Sequence, residues 1–502
     1  MNVPNKRPHI LLVMTDQQKA SATEHYGGPV HTPNLDRIVA QGILYERAYT
    51  PHPLCVPARI SFWTGRWPHS HGARTNEIAM PAGETHFARV LHENGYVLGH
   101  FGKNHCFTRE DLDTYFERVF LAGHGDTFGP EVTMVRSAPP GPPNPASLIT
   151  HEGISRPQSR VRSEPPEESA TYRVTDEAAR FLEEHAPTGD AETTERPMCL
   201  WVSIPDPHTP RQAPEPYASR YPRESVQLPP KKDGELATKP VHQQVFHRLR
   251  RLHDVTDDDI REVASMYYGM IDFLDERVGF LLDTLDRLGI RDNTIIVFTA
   301  DHGDYIGEHG LLDKSNAFYD CLTRVPLFLY YPEGLPSGVR ESAPVSLIDV
   351  LPTVLTLAGV PLPDGVQGQQ LPGTPGAPPP RDAVFSEYGA GGPPISMETV
   401  ERLYPPGTPR AQHALLRERE GEGHGKMLCD GHWKYTYDSG PTGGEELYDL
   451  RADPWELDNL ASNPHHAAMV SELRRRLLDW MLETENAHPV PLYYDTQALL
   501  TS

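Results

Sequence analysis

Short apolar runs alternate with stretches of three-and-four hydrophobic spacing along most of the chain, which predicts an α/β fold with a mainly parallel sheet. His9 to Thr15 reads as a buried strand, and Tyr96 to Phe101, Met198 to Ile204 and Thr294 to Thr299 read as further strands. Thr32 to Gln41 has the pattern of a short helix. The longest helical pattern is Asp257 to Leu288, where Val263, Met266, Tyr267, Met270, Ile271, Leu274, Val278, Leu281, Leu282 and Leu285 share one face. Gly289 follows at once and then the strand from Thr294, so helix and strand form the crossover unit of a parallel sheet.

Two stretches break this rhythm. Ala138 to Glu167 is dense in Pro and Ser, and Thr209 to Pro240 is rich in Pro and charge with little periodicity, so both are expected to be surface insertions. The Pro/Gly-rich run Leu371 to Arg381 marks an expected boundary between a large α/β domain, residues 1–380, and a small α+β domain, residues 381–502. In the latter, Ala383 to Glu387, Lys434 to Tyr437 and Glu446 to Leu450 read as short strands, and His465 to Glu485 as a closing amphipathic helix.

Length and composition narrow the function classes. At 502 residues the chain is too long for one compact core, so two domains, or one large domain with a small appendage, are expected, and 38% hydrophobic with 23% charged residues is ordinary for a globular protein. A formal net charge of -23 argues against nucleic acid or an anionic membrane as partner. A small anionic substrate still fits where Arg, Lys and a metal ion reverse the sign locally. Five scattered cysteines without CxxC spacing indicate neither a disulfide framework nor a zinc-thiolate site. The apolar run Ile10 to Met14 is shorter than a signal-peptide core and no stretch is long enough to span a bilayer, so a cytoplasmic protein is expected.

Candidate chemistry gathers at the ends of strands. Asp16 and Gln17 directly follow the first strand, and Asp301 and His302 directly follow the strand from Thr294. Open α/β sheets place ligands at the carboxyl ends of their strands, so the two pairs are expected at one edge. Oxygen-rich ligation with an imidazole suits calcium, magnesium or manganese better than a thiolate-seeking metal. A turn or helix cap is the bland reading of Asp16 taken alone. Far away in sequence, Cys55-Val56-Pro57-Ala58-Arg59 sets one thiol on what reads as a Pro/Arg-marked turn, a weak signal by itself.

The longer stretch, running on through Ile60-Ser61-Phe62-Trp63-Thr64-Gly65-Arg66 to Pro68-His69-Ser70-His71-Gly72, resembles the signature of the type I sulfatases of the alkaline phosphatase superfamily. Thr15-Asp16-Gln17-Gln18, Gly102-Lys103-Asn104-His105, Pro207-His208-Thr209-Pro210 and the run from Asp301 to Gly310 are similar to motifs of that family and occur in its order. Glu446 to Leu450, Asp453-Pro454 with Glu456, and Asn459-Leu460 resemble its carboxyl-terminal domain. The resemblance implies that Cys55 is oxidised to formylglycine by a formylglycine-generating enzyme. It implies that Asp16, Gln17, Asp301, His302 and the modified Cys55 hold one divalent ion, calcium first, with manganese or magnesium as alternatives.

The same likeness implies a reaction. The aldehyde hydrates to a geminal diol, one metal-bound hydroxyl attacks sulfur, and Lys103, Lys314 and His208 balance the developing charge. His208 or Lys314 protonates the departing oxygen, His105 deprotonates the second hydroxyl to expel sulfate, Arg59 anchors the modified residue, and Asn76 reaches the substrate anion. Many sulfatases carry Asp at Gln17 and Asn at His302. This pair of departures matches a branch that also holds choline sulfatases and phosphonate monoester hydrolases.

A sulfatase acting on a small anionic sulfate ester is the reading that follows, with self-association through the small domain as an expected partner contact. The alternatives are a phosphonate monoester or phosphodiester hydrolase on the same scaffold and a silent anion- or glycan-binding protein. Lys103 and His105 favour sulfate, since the phosphonate hydrolases that this chain resembles carry hydroxyl side chains there. A metal-dependent phosphatase of the same superfamily would want Ser or Thr at position 55. Cys106 beside His105 invites a dyad, but neighbours on a strand point to opposite faces. His309 and most of the 25 histidines are assigned no chemistry.

Overall fold

A computed structural model describes residues 7–130, 132, 159–186, 196–403, 421–440 and 443–485. Among them a nine-stranded sheet runs in the order Val339–Glu341, Ile43–Tyr45, Leu327–Tyr330, Thr294–Ala300, His9–Thr15, Met198–Ile204, Val97–Gly102, Arg118–Gly123 and Thr127–Phe128. The five strands from Thr294–Ala300 to Arg118–Gly123 are mutually parallel, and antiparallel pairings appear only outside them. The expected mainly parallel sheet is therefore present, and each predicted strand lies within a residue or two of its predicted bounds.

Both faces of the sheet are covered. Along His9–Thr15, Ile10, Leu12 and Met14 enter one apolar core while Leu11 and Val13 enter another, the two-residue alternation of a strand buried on both sides. The first core contains the helix Cys55–Thr64, and the second contains Ala170–His185 and the carboxyl-terminal half of Asp257–Arg287. That 31-residue helix starts at a capping box, with the Thr256 hydroxyl accepting from the Asp259 N–H and the Asp259 carboxylate accepting from the Thr256 N–H. The expected helix at Thr32 to Gln41 is present as Pro33–Val39.

The carboxyl-terminal part forms a four-stranded antiparallel sheet, Val384–Tyr388, His424–Cys429, Trp433–Ser439 and Gly444–Asp449, closed by the helix Ala467–Thr484. Trp480 of that helix meets Trp67 edge-on at 5.3 Å and stacks on Phe385 at 4.5 Å, so this sheet shares apolar contacts with the segment following the signature.

Two expectations need correction. Thr209 to Pro240 is a surface excursion only in part: residues 219–234 are mostly exposed, but Arg211, Ala213 and Tyr217 are buried, because Arg211 is drawn inward to Asp304 at 2.6 Å and Ala213 packs against Asp257–Arg287. Nor is Cys55 on a turn. It opens a ten-residue helix whose residues are all buried, and Pro57 is tolerated because the N–H groups of a first turn have no partner within the helix. Of the other expected insertion, 138–158 lies outside the described residues, and Ser159–Val161 forms a short strand beside Arg211–Ala213. No described helix is long and apolar enough to cross a membrane.

Candidate active site

Three parallel strands deliver their following residues to one edge of the sheet. Asp16 and Gln17 leave His9–Thr15, Asp301 and His302 leave Thr294–Ala300, and Lys103 leaves Val97–Gly102. Gly102 takes φ +105°, and a Cβ there would lie 1.9 Å from the Ser203 carbonyl oxygen. Only glycine lets the chain turn so close to the neighbouring strand, where the Lys103 N–H donates to that oxygen at 2.8 Å. Gln17 also has a positive φ, 66°. It is held there from both sides, its N–H donating to Asp301 Oδ1 at 3.0 Å and its carbonyl accepting from the Tyr267 hydroxyl at 2.9 Å.

The helix Cys55–Thr64 brings the thiol to this edge from the opposite direction. Val56 N–H donates to Asn76 Oδ1 at 3.1 Å, so Asn76 satisfies the start of that helix with the oxygen side of its amide. Gly65 ends the helix in the left-handed conformation. One turn below Cys55, the buried Arg59 donates to Asp301 Oδ2 at 2.8 Å, to Ser203 Oγ at 2.6 Å and to the Lys103 carbonyl at 3.2 Å.

Ligand atoms of Asp16, Cys55, Asp301 and His302 lie within 4.8 Å of one another, all buried. His302 Nε2 is 3.1 Å from Cys55 Sγ, 3.9 Å from Asp16 Oδ1 and 3.8 Å from Asp301 Oδ1. Its other nitrogen, Nδ1, faces the Gly303 carbonyl at 2.8 Å, which orients the ring and leaves Nε2 for the centre. The Lys314 ammonium reaches Cys55 Sγ at 3.0 Å, Gln17 Oε1 at 3.1 Å and His302 Nε2 at 3.3 Å. A cation is thus held among the very atoms the ligand set would offer. Two carboxylates, an amide oxygen and an imidazole fit a divalent ion of the hard or borderline kind.

The electrostatics of the centre follow from burial opposed by this charge. Burial would raise the Asp16 carboxyl, but Lys103, His208 and His124 outweigh it and hold the group well below the usual carboxylate range. Burial and Asp16 push the Cys55 thiol up, while Lys103, Lys314 and His302 together bring it below its ordinary value. Burial, with the Lys103 ammonium beside His105 and the His124 ring beside His208 opposing a further charge, keeps both imidazoles well below the usual histidine value.

Every residue assigned from the sequence is therefore near the centre or tied to it. Asp16, Gln17, Cys55, Arg59, Lys103, Asp301, His302 and Lys314 form one connected cluster. A ring nitrogen of His208 lies within 4.8 Å of an Asp16 oxygen, and His105 faces His124 edge-on at 6.1 Å. Cys106 turns away into the apolar core, and His309 pairs with Glu235 and stacks on Tyr319 at 3.8 Å. Four contributors were not read from the sequence. His124 meets Asp16 Oδ2 at 2.9 Å, Ser203 takes the Arg59 hydrogen bond, Tyr267 holds Gln17, and Arg211 binds Asp304. His124 carried a legible signal, since it directly follows the strand Arg118–Gly123.

The sulfatase family profile matches residues 8–360, which span the whole of this cluster. The chain belongs to the sulfatase family. It is 29% identical to a choline-sulfatase of Rhizobium meliloti (strain 1021) over 96% of this chain and 88% of the relative. It is likewise 29% identical to the uncharacterised sulfatase YidJ of Escherichia coli K12, over 95% and 87%. Among solved structures it is similar to BT4656 in complex with D-glucosamine-2-N,6-O-disulfate, at TM-score 0.71 and 22% identity over 96% of this chain and 98% of that one. A phosphonate monoester hydrolase of Silicibacter pomeroyi gives 0.74 and 22% over 95% and 96%. At these identities the structures establish the fold alone. This sulfatase is a sulfuric ester hydrolase of a family that uses a divalent metal and formylglycine.

Proposed function

We propose that this sulfatase cleaves a small sulfate ester to an alcohol or phenol and sulfate, after a formylglycine-generating enzyme has oxidised Cys55. The observation that carries the reading is the convergence of four buried ligand atoms within 4.8 Å, with Lys314 3.0 Å from the sulfur to be modified. When bound, the ion supplies Lewis acidity and the hydrated formylglycine supplies a nucleophilic oxygen. Calcium suits Asp16, Asp301 and Gln17, which all offer oxygen.

The chain's own residues do the rest. Arg59 fixes Asp301 and the base of the signature helix, so residue 55 meets the substrate in one orientation. Lys103 and Lys314 balance the charge that develops on the sulfuryl oxygens. His208 donates its Nδ1–H to the Thr209 carbonyl at 2.7 Å, and in its imidazolium form, which the negative charge of a bound sulfate ester favours over the neutral resting ring, it presents Nε2–H to protonate the departing oxygen. His105 removes the proton that lets sulfate leave. A phosphonate monoester carries the same tetrahedral shape, but the Lys103 and His105 pair favours sulfate.

Peptide mass spectrometry across Pro51 to Arg59 of active protein tests the nucleophile, and steady-state rates on matched aryl sulfate, phosphate diester and phosphonate monoester test the substrate. Formylglycine and a preference for sulfate are expected. A fully alkylatable thiol in protein that turns over, or a phosphonate preference, refutes the reading.

A further inference from the structure

His124 stands in none of the motifs that mark the family resemblance, yet its ring lies inside the catalytic cluster. Its Nε2 is 2.9 Å from Asp16 Oδ2, and its plane lies face to face with that of His208, 3.6 Å between centroids and 1° between planes. The two histidines rest on supports of unequal stiffness. Both are partly exposed, but His124 follows a strand of the central sheet directly, whereas His208 sits between Pro207 and Pro210. Two polar contacts of the His208 ring go through one nitrogen to its own neighbour, Nδ1 to the Thr209 carbonyl at 2.7 Å and to the Thr209 hydroxyl at 3.3 Å. Contacts made through one ring nitrogen leave the ring free to tilt about it, and a parallel aromatic surface at contact distance removes that freedom.

We infer that His124 is a positioning residue that braces the His208 imidazole by stacking, so that Nε2 stays aimed at the departing oxygen. This rests on the assignment of His208 as proton donor made above. As the ester S–O bond breaks, its electron pair goes to the departing oxygen and the sulfuryl group passes to the attacking oxygen. The departing oxygen takes the proton from Nε2, and His208 is left neutral. A donor held a fraction of an ångström off line loses most where the leaving group needs its proton most.

The test uses matured, metal-loaded enzyme and a series of aryl sulfates from 4-nitrophenyl to unsubstituted phenyl sulfate. His124→Ala, His124→Phe, His124→Asn and His208→Ala are compared with the parent, with metal content measured for each. His208→Ala is expected to lose kcat progressively as the leaving phenol becomes more basic. His124→Ala is expected to follow it, with a loss of about 10-fold or more on phenyl sulfate and under about 3-fold on 4-nitrophenyl sulfate. His124→Phe, which keeps a stacking face, should return to within about 3-fold of the parent across the series, and His124→Asn, which keeps only a polar group towards Asp16, should not. A crystal structure of His124→Ala should show the His208 ring turned out of its present plane. Equal losses on every ester, or rescue by Asn and not by Phe, overturn the inference and assign His124 to Asp16 alone. A flat series for His208→Ala overturns the proton-donor assignment itself, and the inference with it.

Discussion

Around Cys55 and around Lys434 the protein sets carboxylates against buried ammonium groups, but it arranges them differently. Lys434, on the carboxyl-terminal sheet, donates to Asp320 Oδ1 at 2.6 Å and to the Phe318 carbonyl at 3.0 Å, and pairs with Glu456 Oε1 at 2.8 Å. Glu456 Oε2 in turn accepts from the Asp320 N–H at 2.6 Å. The ammonium sits among these three oxygens, two hydrogen-bonded and one ion-paired, so the carboxylates close on a cation that the chain itself supplies. Around Cys55, by contrast, Asp16, Asp301, His302 and the thiol turn their ligand atoms toward one another and share a centre. Buried charge alone does not mark a reaction site; convergence of ligand atoms from separate strand ends does.

The sharpest way to break that contrast is at residue 55. Cys55→Ala should lower kcat/KM by about 10^4-fold or more, because the nucleophile is the member of a catalytic set whose loss is least compensated. The melting temperature should change little, and thermal unfolding monitored beside the assay checks this. Next in size is the shared centre itself. Chelation, or Asp16→Asn, should cost about 100-fold or more in activity and lower metal stoichiometry measured by elemental analysis. Retained activity in metal-stripped protein would remove the distinction between the two clusters.

Much of this was legible in the chain. Continuous apolar runs gave the central strands, and acids placed directly after two of them marked the edge where ligands bind. His124 escaped because its strand opens Arg118-Val119-Phe120 with alternating partial exposure, a pattern too weak to be read as buried. The strand His424–Cys429 begins His-Gly-Lys, which likewise offers no apolar alternation to read. Arg211 looked like surface charge because composition does not reveal a partner 93 residues away, Asp304. Pro57 suggested a turn because a proline inside the first turn of a helix and one in a loop look alike until the free N–H groups are placed.

The closed cluster gives the complementary predictions. Lys434→Met should destabilise the fold by about 3–5 kcal/mol, since it strands buried carboxylates without their cation. In the folded fraction kcat/KM should stay within about 3-fold of the parent, which chemical denaturation and active-site titration would separate. The smallest effect concerns pH. Burial pushes the Glu456 carboxyl up to about 7 although Lys434 opposes it. A carboxyl raised in the folded state binds its proton more tightly there than in the unfolded chain. Its stabilising contribution is complete below the ordinary carboxylate value of about 4.3 and is lost as pH rises toward 7. Stability measured from pH 5 to 7.5 should therefore fall less steeply in Glu456→Gln than in the parent, by about 1–2 kcal/mol over that window. An unchanged slope would mean that Glu456 is ionised throughout and that the Lys434 cluster holds its charges as tightly as the catalytic one.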